Sequence, residues 1–215
     1  MNCLGTVMEG KTVYLIRHGI IRSNVRDVYS GRSNEKLTPL GVEYAHELGR
    51  EMVERGIRTI YSSPLARTMQ TAQILNEYIG AQLIENDDLT EMELGPWTGL
   101  SKIEVARKYP SEYRMWCEEP AQFRAEGMET LREVQQRAVK ALEEVLKAGR
   151  EDVAAMVTHA VIVKCILLYL QGDSLNAYHT FQVLNLSVHQ AVFGAGKSFV
   201  DIIKRGFVPS DASGA

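Results

Sequence analysis

The chain has 215 residues, with 24 Lys and Arg against 27 Asp and Glu for a formal charge of −3, 45% apolar residues and 24% charged ones. That composition excludes disordered, collagen-like and disulfide-scaffold chains, and a chain of this length buries roughly 70% of the surface its unfolded form exposes, enough for one compact domain. The slight negative balance, without a Lys/Arg cluster, argues against nucleic-acid binding, which needs cations to displace counterions from phosphates, and against a polybasic membrane anchor.

Residues 1–10 lack a basic start followed by an apolar stretch and read as a loose leader, ahead of a single domain over 11–206 and a tail over 207–215. Thr12 to Ile16 is a short, partly β-branched apolar run that stops at Arg17-His18-Gly19, the pattern of a buried strand entering a loop. Thr38-Pro39 offers an N-cap and a first-turn proline, and Gly41, Ala45, Leu48 and Met52 recur at helical spacing until Gly56. Thr59 to Tyr61 reads as a second strand. Ser63-Pro64 then restarts a helix that carries Leu65, Met69, Ala72 and Leu75 on successive turns up to Gly80, with Arg67 in its first turn.

Ala81 to Glu85 reads as a third strand, followed by an acidic loop from Asn86 to Glu93 and the turn-rich Gly95-Pro96-Trp97-Thr98-Gly99. Short helical pieces are expected at Lys102 to Lys108 and Ser111 to Glu118. Thr130-Leu131-Arg132-Glu133 has the spacing of a capping box, and Leu131, Val134, Ala138, Leu142 and Val145 mark a long amphipathic helix ending at Gly149. Val153 to Leu170 approaches membrane-spanning length, but Thr158, His159 and Lys164 interrupt it, so it reads as a fourth strand followed by a buried helix. Ser187 to Phe193 and Phe199 to Ile203 complete the pattern as a hairpin across Gly194-Ala195-Gly196.

Strands alternating with helices of this length predict a three-layer α/β sandwich with a mostly parallel central sheet, whose reactive groups collect beyond the carboxyl ends of the strands. His18 and His159 both fall there. Cys3, Cys117 and Cys165 are odd in number, far apart and in no CxxC pair, which suits reduced thiols in a cytoplasmic protein and offers no zinc site.

Four elements carry chemistry. Arg17-His18-Gly19, with Asn24 beyond it, puts a flexible glycine where backbone amides can approach an anion, although such a triplet also suits a surface turn. Arg67 lies at a helix start, and both helix N-termini and guanidinium groups favour phosphate oxygens. Thr158-His159-Ala160 repeats the first arrangement at another strand end, and Glu91 supplies a carboxyl group suited to general acid catalysis. Asp87, Asp88, Glu91 and Glu93 read either as a solvated acidic loop or as metal ligands. Trp97, Tyr113 and Trp116 read as a pocket wall or a core edge, and Arg22, Arg26 and Arg32 as recognition of the leaving group or a solvated basic loop. His46, His179 and His189 match no such block and read as structural.

Taken together, Arg17-His18-Gly19 with Asn24, Tyr29-Ser30-Gly31, Leu37 to Gly41, Ser62 to Ala72, Leu89 to Leu100 and Thr158-His159-Ala160, in that order, resemble the histidine phosphatase superfamily, also called phosphoglycerate mutase-like. The stretch from Tyr109 through Trp116 to Gly127-Met128-Glu129-Thr130 looks most like its small-molecule branch, which includes α-ribazole phosphatases and metal-independent phosphoserine phosphatases. The resemblance implies a phosphomonoesterase acting on a small phosphorylated metabolite, with no cofactor and no metal. His18 would be the nucleophile, Arg17, Arg67 and His159 the phosphoryl clamp, and Glu91 the proton donor. Asn24, Ser30, Gly31, Arg22 and Ala160 would contact phosphate or substrate. A phosphoglycerate-type mutase is the enzymatic alternative, and no long insertion of the kind a dedicated mutase carries is present. The other alternative is a weakly catalytic phosphometabolite-binding protein, suggested by Ile20 and Ile21 where the family often has Glu and Thr. Ala160 and Thr98 also stand where Gly and Glu are usual. No nucleic acid or membrane is implied as partner, and a homodimer is compatible with the reading.

Overall fold

The computed structural model describes residues 10–148, 152–194 and 197–208. In chain order its strands and α-helices are β1 (Lys11–Arg17), α1 (Arg22–Val25), α2 (Pro39–Met52), β2 (Thr59–Ser62), α3 (Ala66–Ile79), β3 (Gln82–Glu85), α4 (Lys102–Lys108), α5 (Pro110–Glu118), α6 (Leu131–Ala148), β4 (Val153–Thr158), α7 (Ala160–Gln171), β5 (Val188–Gly194) and β6 (Lys197–Lys204). The sheet order is β3-β2-β4-β1-β5-β6. β3, β2, β4 and β1 run parallel, while β5 is antiparallel to β1 and β6 antiparallel to β5. This is the mostly parallel α/β sheet expected.

Side chains of a strand alternate between faces, and β1 divides its apolar residues accordingly. Val13 and Leu15 join Leu142, Val145, Ile162 and Ile166 in the core under α6 and α7. Tyr14 and Ile16 join Ala45, Leu48, Ala72 and Leu75 under α2 and α3. Two helical layers thus enclose the sheet. Among the described residues no helix is long and apolar enough to cross a membrane; the apolar stretch after β4 is the 12-residue α7.

The helix signals act as their chemistry requires. Thr38 Oγ1 accepts the N–H of Gly41, with Pro39 at the first helical position, and a short 3-10 turn over Val53–Arg55 leads α2 into Gly56 at φ +71°. Thr130 and Glu133 exchange the reciprocal bonds of a capping box ahead of α6. The stop expected at Gly149 and the hairpin residues Ala195 and Gly196 lie outside the described residues, as do nearly all of the leader and tail. Phe207, assigned to the tail, donates its N–H to the Asn185 carbonyl and stacks on Tyr44 at 4.0 Å.

Two departures bear on the site. The helix expected from Ser63 begins at Ala66, because Ser63 is held in the turn leaving β2: its carbonyl accepts from Ser62 Oγ and Thr68 Oγ1, and Leu65 is extended. Arg67 nevertheless remains in the first turn. The sequence reading also passes over α1 and a 3-10 turn at Leu175–His179, both too short to show an apolar repeat.

Candidate active site

Four loops converge at the carboxyl ends of the parallel strands. β1 delivers Arg17 and His18, β2 leads to Ser63 and Arg67, β3 to the Glu91 loop, and β4 to His159. His18 is 2% exposed. Its Nδ1 lies 2.7 Å from the Gly19 carbonyl, which can only accept, so Nδ1 carries the proton and Nε2 keeps its lone pair. Burial, then the charges of Arg67 and Arg17, push the imidazole pKa well below the usual histidine value and keep it neutral.

The loop around His18 is held on every side. The His18 N–H reaches the Thr158 carbonyl at 2.9 Å, and the Gly19 N–H reaches Thr71 Oγ1 at 3.0 Å. Asn185 Nδ2 stands within bonding distance of three acceptors: the carbonyls of His18 and Gly19 and Oδ1 of Asn24, at 3.0, 3.2 and 3.0 Å. Asn24 Oδ1 also accepts the N–H of Ile21 at 3.2 Å. Ile20 and Ile21 are buried, and Ile21 packs in the core beneath α2 with Leu37. A Cβ at Gly41 would collide with the Ile20 carbonyl, so glycine there lets α2 lie directly against this loop.

Arg67 is buried with its guanidinium fully directed. Nε donates to Nδ1 of His159 at 3.2 Å, and the two terminal nitrogens donate to the carbonyls of Ser33 and Gly31 at 2.5 and 2.7 Å. Since Nδ1 of His159 accepts, Nε2 carries the proton and donates to Ser63 Oγ at 2.8 Å. Both nitrogens of His159 are thereby engaged. Its ring meets that of His18 edge-on at 5.3 Å, so His159 joins Arg67 to His18 in one buried cluster. Arg17 donates to the Val183 carbonyl at 2.8 Å, while its buried Nε has no partner among the described residues. Burial lowers its pKa to about 10, which leaves it cationic at neutral pH.

Glu91 is 7% exposed and raised above the usual carboxylate range by burial, against the opposing charge of Arg67 and the Met92 N–H that bonds Oε1 at 2.9 Å. A buried carboxyl that holds its proton more tightly than a free carboxylate is suited to proton donation. Its loop is fastened by Arg137 of α6, which donates to the carbonyls of Asp88, Thr90 and Glu91 and pairs through two nitrogens with Glu129. Arg32 donates to the Glu91 carbonyl and to Glu129 as well, so it braces this loop. Asp88 pairs with Lys140, and Glu93 accepts from Gly95.

A cavity of about 480 Å³ opens beside Arg17 and Glu91 and is lined also by Asn24, Ser30, Gly31 and Ala160, whereas His18, Arg67 and His159 are buried and do not belong to its lining. Gly31, at φ +45°, also lies against Thr98, where a Cβ would meet Oγ1 at 2.7 Å. Ala160 begins α7, whose first N–H groups have no intrahelical partner and carry the positive end of the helix dipole. Arg22 is exposed and does not line the cavity; its side chain stands on the outer face of α1. Trp97 is core, Trp116 and His179 stand on the cavity wall, and His179 Nε2 bonds the Trp116 carbonyl. Sequence reasoning missed Asn185, Thr71, Arg137 and Lys164. An asparagine within the apolar Val183-Leu184-Asn185-Leu186 run was the available signal for the first of these.

The description "Histidine phosphatase superfamily (branch 1)" belongs to the family model that matches residues 13–204. Phosphoserine phosphatase 1 of Hydrogenobacter thermophilus is 33% identical over 173 residues, which cover 80% of this chain and 82% of that protein. The solved structure of Bacillus stearothermophilus YhfR superposes with a TM-score of 0.84 at 25% identity, covering 90% of this chain and 96% of the other. A putative α-ribazole-5'-P phosphatase from Escherichia coli shares the fold with a TM-score of 0.82 at 20% identity, over 92% of this chain and 98% of that one.

Proposed function

The chain belongs to the histidine phosphatase superfamily, branch 1, and within it we propose a cytoplasmic phosphomonoesterase that hydrolyses a small phosphorylated metabolite through a phosphohistidine on His18, with Glu91 as proton donor. Residues 11–206 form the catalytic domain in this reading. The observation that carries it is the state of His18: Nδ1 is tied to the Gly19 carbonyl, so Nε2 offers a lone pair beside Arg17, Arg67 and a buried carboxyl group.

Nε2 attacks phosphorus as the ester P–O bond breaks, and Glu91 gives its proton to the departing oxygen. The guanidinium groups of Arg17 and Arg67 and the N-terminus of α7 offset charge on the equatorial oxygens, the work a phosphoryl transfer asks of its site. Glu91, now a carboxylate, takes a proton from water. That water attacks phosphorus, the P–N bond breaks, and phosphate leaves with His18 and Glu91 restored. Ser30, Gly31, Asn24 and Ala160 line the space where phosphate and leaving group meet.

The name of the Hydrogenobacter relative supports a phosphatase over a mutase for this reading. The test is rapid acid or base quenching during turnover followed by mass spectrometry. An acid-labile, base-stable phosphoryl group on His18, absent in His18→Ala, is expected; a phosphoryl group elsewhere, or none under burst conditions, overturns the mechanism. Activity is expected to survive exhaustive chelation, because cationic side chains supply the charge; dependence on added magnesium or zinc would revive the acidic-loop metal site.

A further inference from the structure

Lys164 lies four residues after Ala160 on α7, so the two side chains share one helix face, and both line the cavity. Its Nζ donates to the Tyr178 carbonyl at 2.9 Å and stands 4.3 and 5.4 Å from the ring centroids of Tyr178 and Phe181. An ammonium group has three donors, and this contact uses one. The other lysine on the wall, Lys102, is paired with Asp27 at 3.0 Å. Lys164 has no such carboxylate partner among the described residues.

The charges around the cavity show what is left over. A phosphoryl dianion is matched by the two guanidinium groups of Arg17 and Arg67, and Glu91 is neutral when poised to donate its proton. The Lys102–Asp27 pair cancels. One half-buried ammonium remains on the wall, flanked by the rings of Tyr178 and Phe181. A cation held out of water without a counter-charge is unfavourable, and an anion brought by the ligand relieves that cost. One ammonium matches one negative charge, which suits a carboxylate better than a second phosphate.

We propose that Lys164 binds a carboxylate on the leaving group, so that preferred substrates are phosphate monoesters of small hydroxy acids. This rests on the phosphatase reading of the same site. Burial, with the nearby charge of Arg17, lowers the Lys164 pKa to about 8, which leaves the group mainly protonated at pH 7.

Three substrates with a common two-carbon skeleton test this: 2-phosphoglycolate, ethyl phosphate and phosphoethanolamine carry a negative, a neutral and a positive group. kcat/KM for phosphate release is expected to favour phosphoglycolate over ethyl phosphate by roughly tenfold to a hundredfold, the range for a charge-assisted hydrogen bond. Phosphoethanolamine should be the poorest. Lys164→Met should bring the phosphoglycolate to ethyl phosphate ratio close to one, and Lys164→Arg should keep most of it; a ratio is insensitive to the fraction of folded enzyme. Persistence of the preference in Lys164→Met overturns the subsite. Equal turnover of all three by the parent enzyme overturns it while leaving the phosphatase reading intact. Faster release from ethane-1,2-diol bisphosphate than from phosphoglycolate overturns the carboxylate assignment. Release from none of them overturns the phosphatase reading and the subsite together.

Discussion

Nδ1 of His159 takes the Nε–H of Arg67 at 3.2 Å, and with the carbonyls of Gly31 and Ser33 it sets the plane of the guanidinium. Arg67→Lys keeps the charge but cannot meet three acceptors in one plane. We expect kcat/KM on p-nitrophenyl phosphate to fall by about 10²- to 10³-fold, the scale of losing a well-aligned donor to a developing anion. Inhibition by vanadate should weaken in parallel. A lysine variant with near-native turnover would remove Arg67 from the clamp.

Glu91→Gln keeps the shape and removes the proton. The loss is expected to be about 10²- to 10⁴-fold on an alkyl phosphate and much smaller on p-nitrophenyl phosphate, whose leaving group needs little protonation. The parent enzyme should show a matching pH signature. Because burial raises the Glu91 pKa, the proton-donating form persists to higher pH than for a free carboxylate and is lost as pH rises through that raised value. The lowered pKa of His18 keeps the imidazole neutral as pH falls. The basic limb of the alkyl phosphate profile should therefore vanish in Glu91→Gln. Equal losses on both substrates, or an unchanged limb, would exclude Glu91 as the acid.

Arg137 touches no reacting atom, yet three carbonyls of the Glu91 loop depend on it. Arg137→Gln should lower kcat on alkyl phosphates by roughly 10- to 100-fold, the effect expected when an acid is misplaced by about an ångström, with a smaller loss on p-nitrophenyl phosphate. A merely structural role would lower thermal stability and leave the ratio of the two substrates unchanged.

Ile21→Thr asks whether the family's usual hydroxyl would help. Ile21 is fully buried and packs beneath α2, so the new hydroxyl would sit in an apolar environment. A loss of about 1–3 kcal/mol of stability is expected, with no gain in kcat. Thermal melting beside steady-state kinetics decides it, since a faster enzyme of unchanged stability would restore the catalytic reading of this position.

What the sequence could and could not reveal follows from the kind of contact involved. β1 and β4 stand out as continuous apolar runs because helices cover both faces of the sheet, and α6 announces itself through its capping box and apolar stripe. His18, Arg67 and His159 stood out as candidates because each follows a strand end or opens a helix, whereas Glu91, in a loop beyond β3, stood out only through the Leu89 to Leu100 block. Asn185, Arg137 and Lys164 were not, because their partners are largely backbone carbonyls, and a carbonyl looks the same beside every residue. The start of α3 differs for a related reason: Ser63 resembles an N-cap, but its hydroxyl accepts from His159, 96 residues away at the start of α7.

The bond from Asn185 to the His18 carbonyl spans 167 residues, and β1, which leads into His18, is flanked by β4 and β5. Both neighbours emerge during synthesis long after β1 has left the ribosome, so β1 has no sheet partner while α2, β2, α3 and β3 are being made. Pairing at such separation pays its loop-closure entropy before any contact repays it, which makes closure of the central strand a late and slow event in folding. Until then Val13, Tyr14, Leu15 and Ile16 form an exposed apolar edge, a point at which chaperone engagement or self-association competes with maturation. His18 is thus encoded near the beginning of the chain, but its loop, braced early by Thr71 of α3, gains its bond to Thr158 only once β4 has been made and the bond from Asn185 only after the residues beyond the last helix have been made.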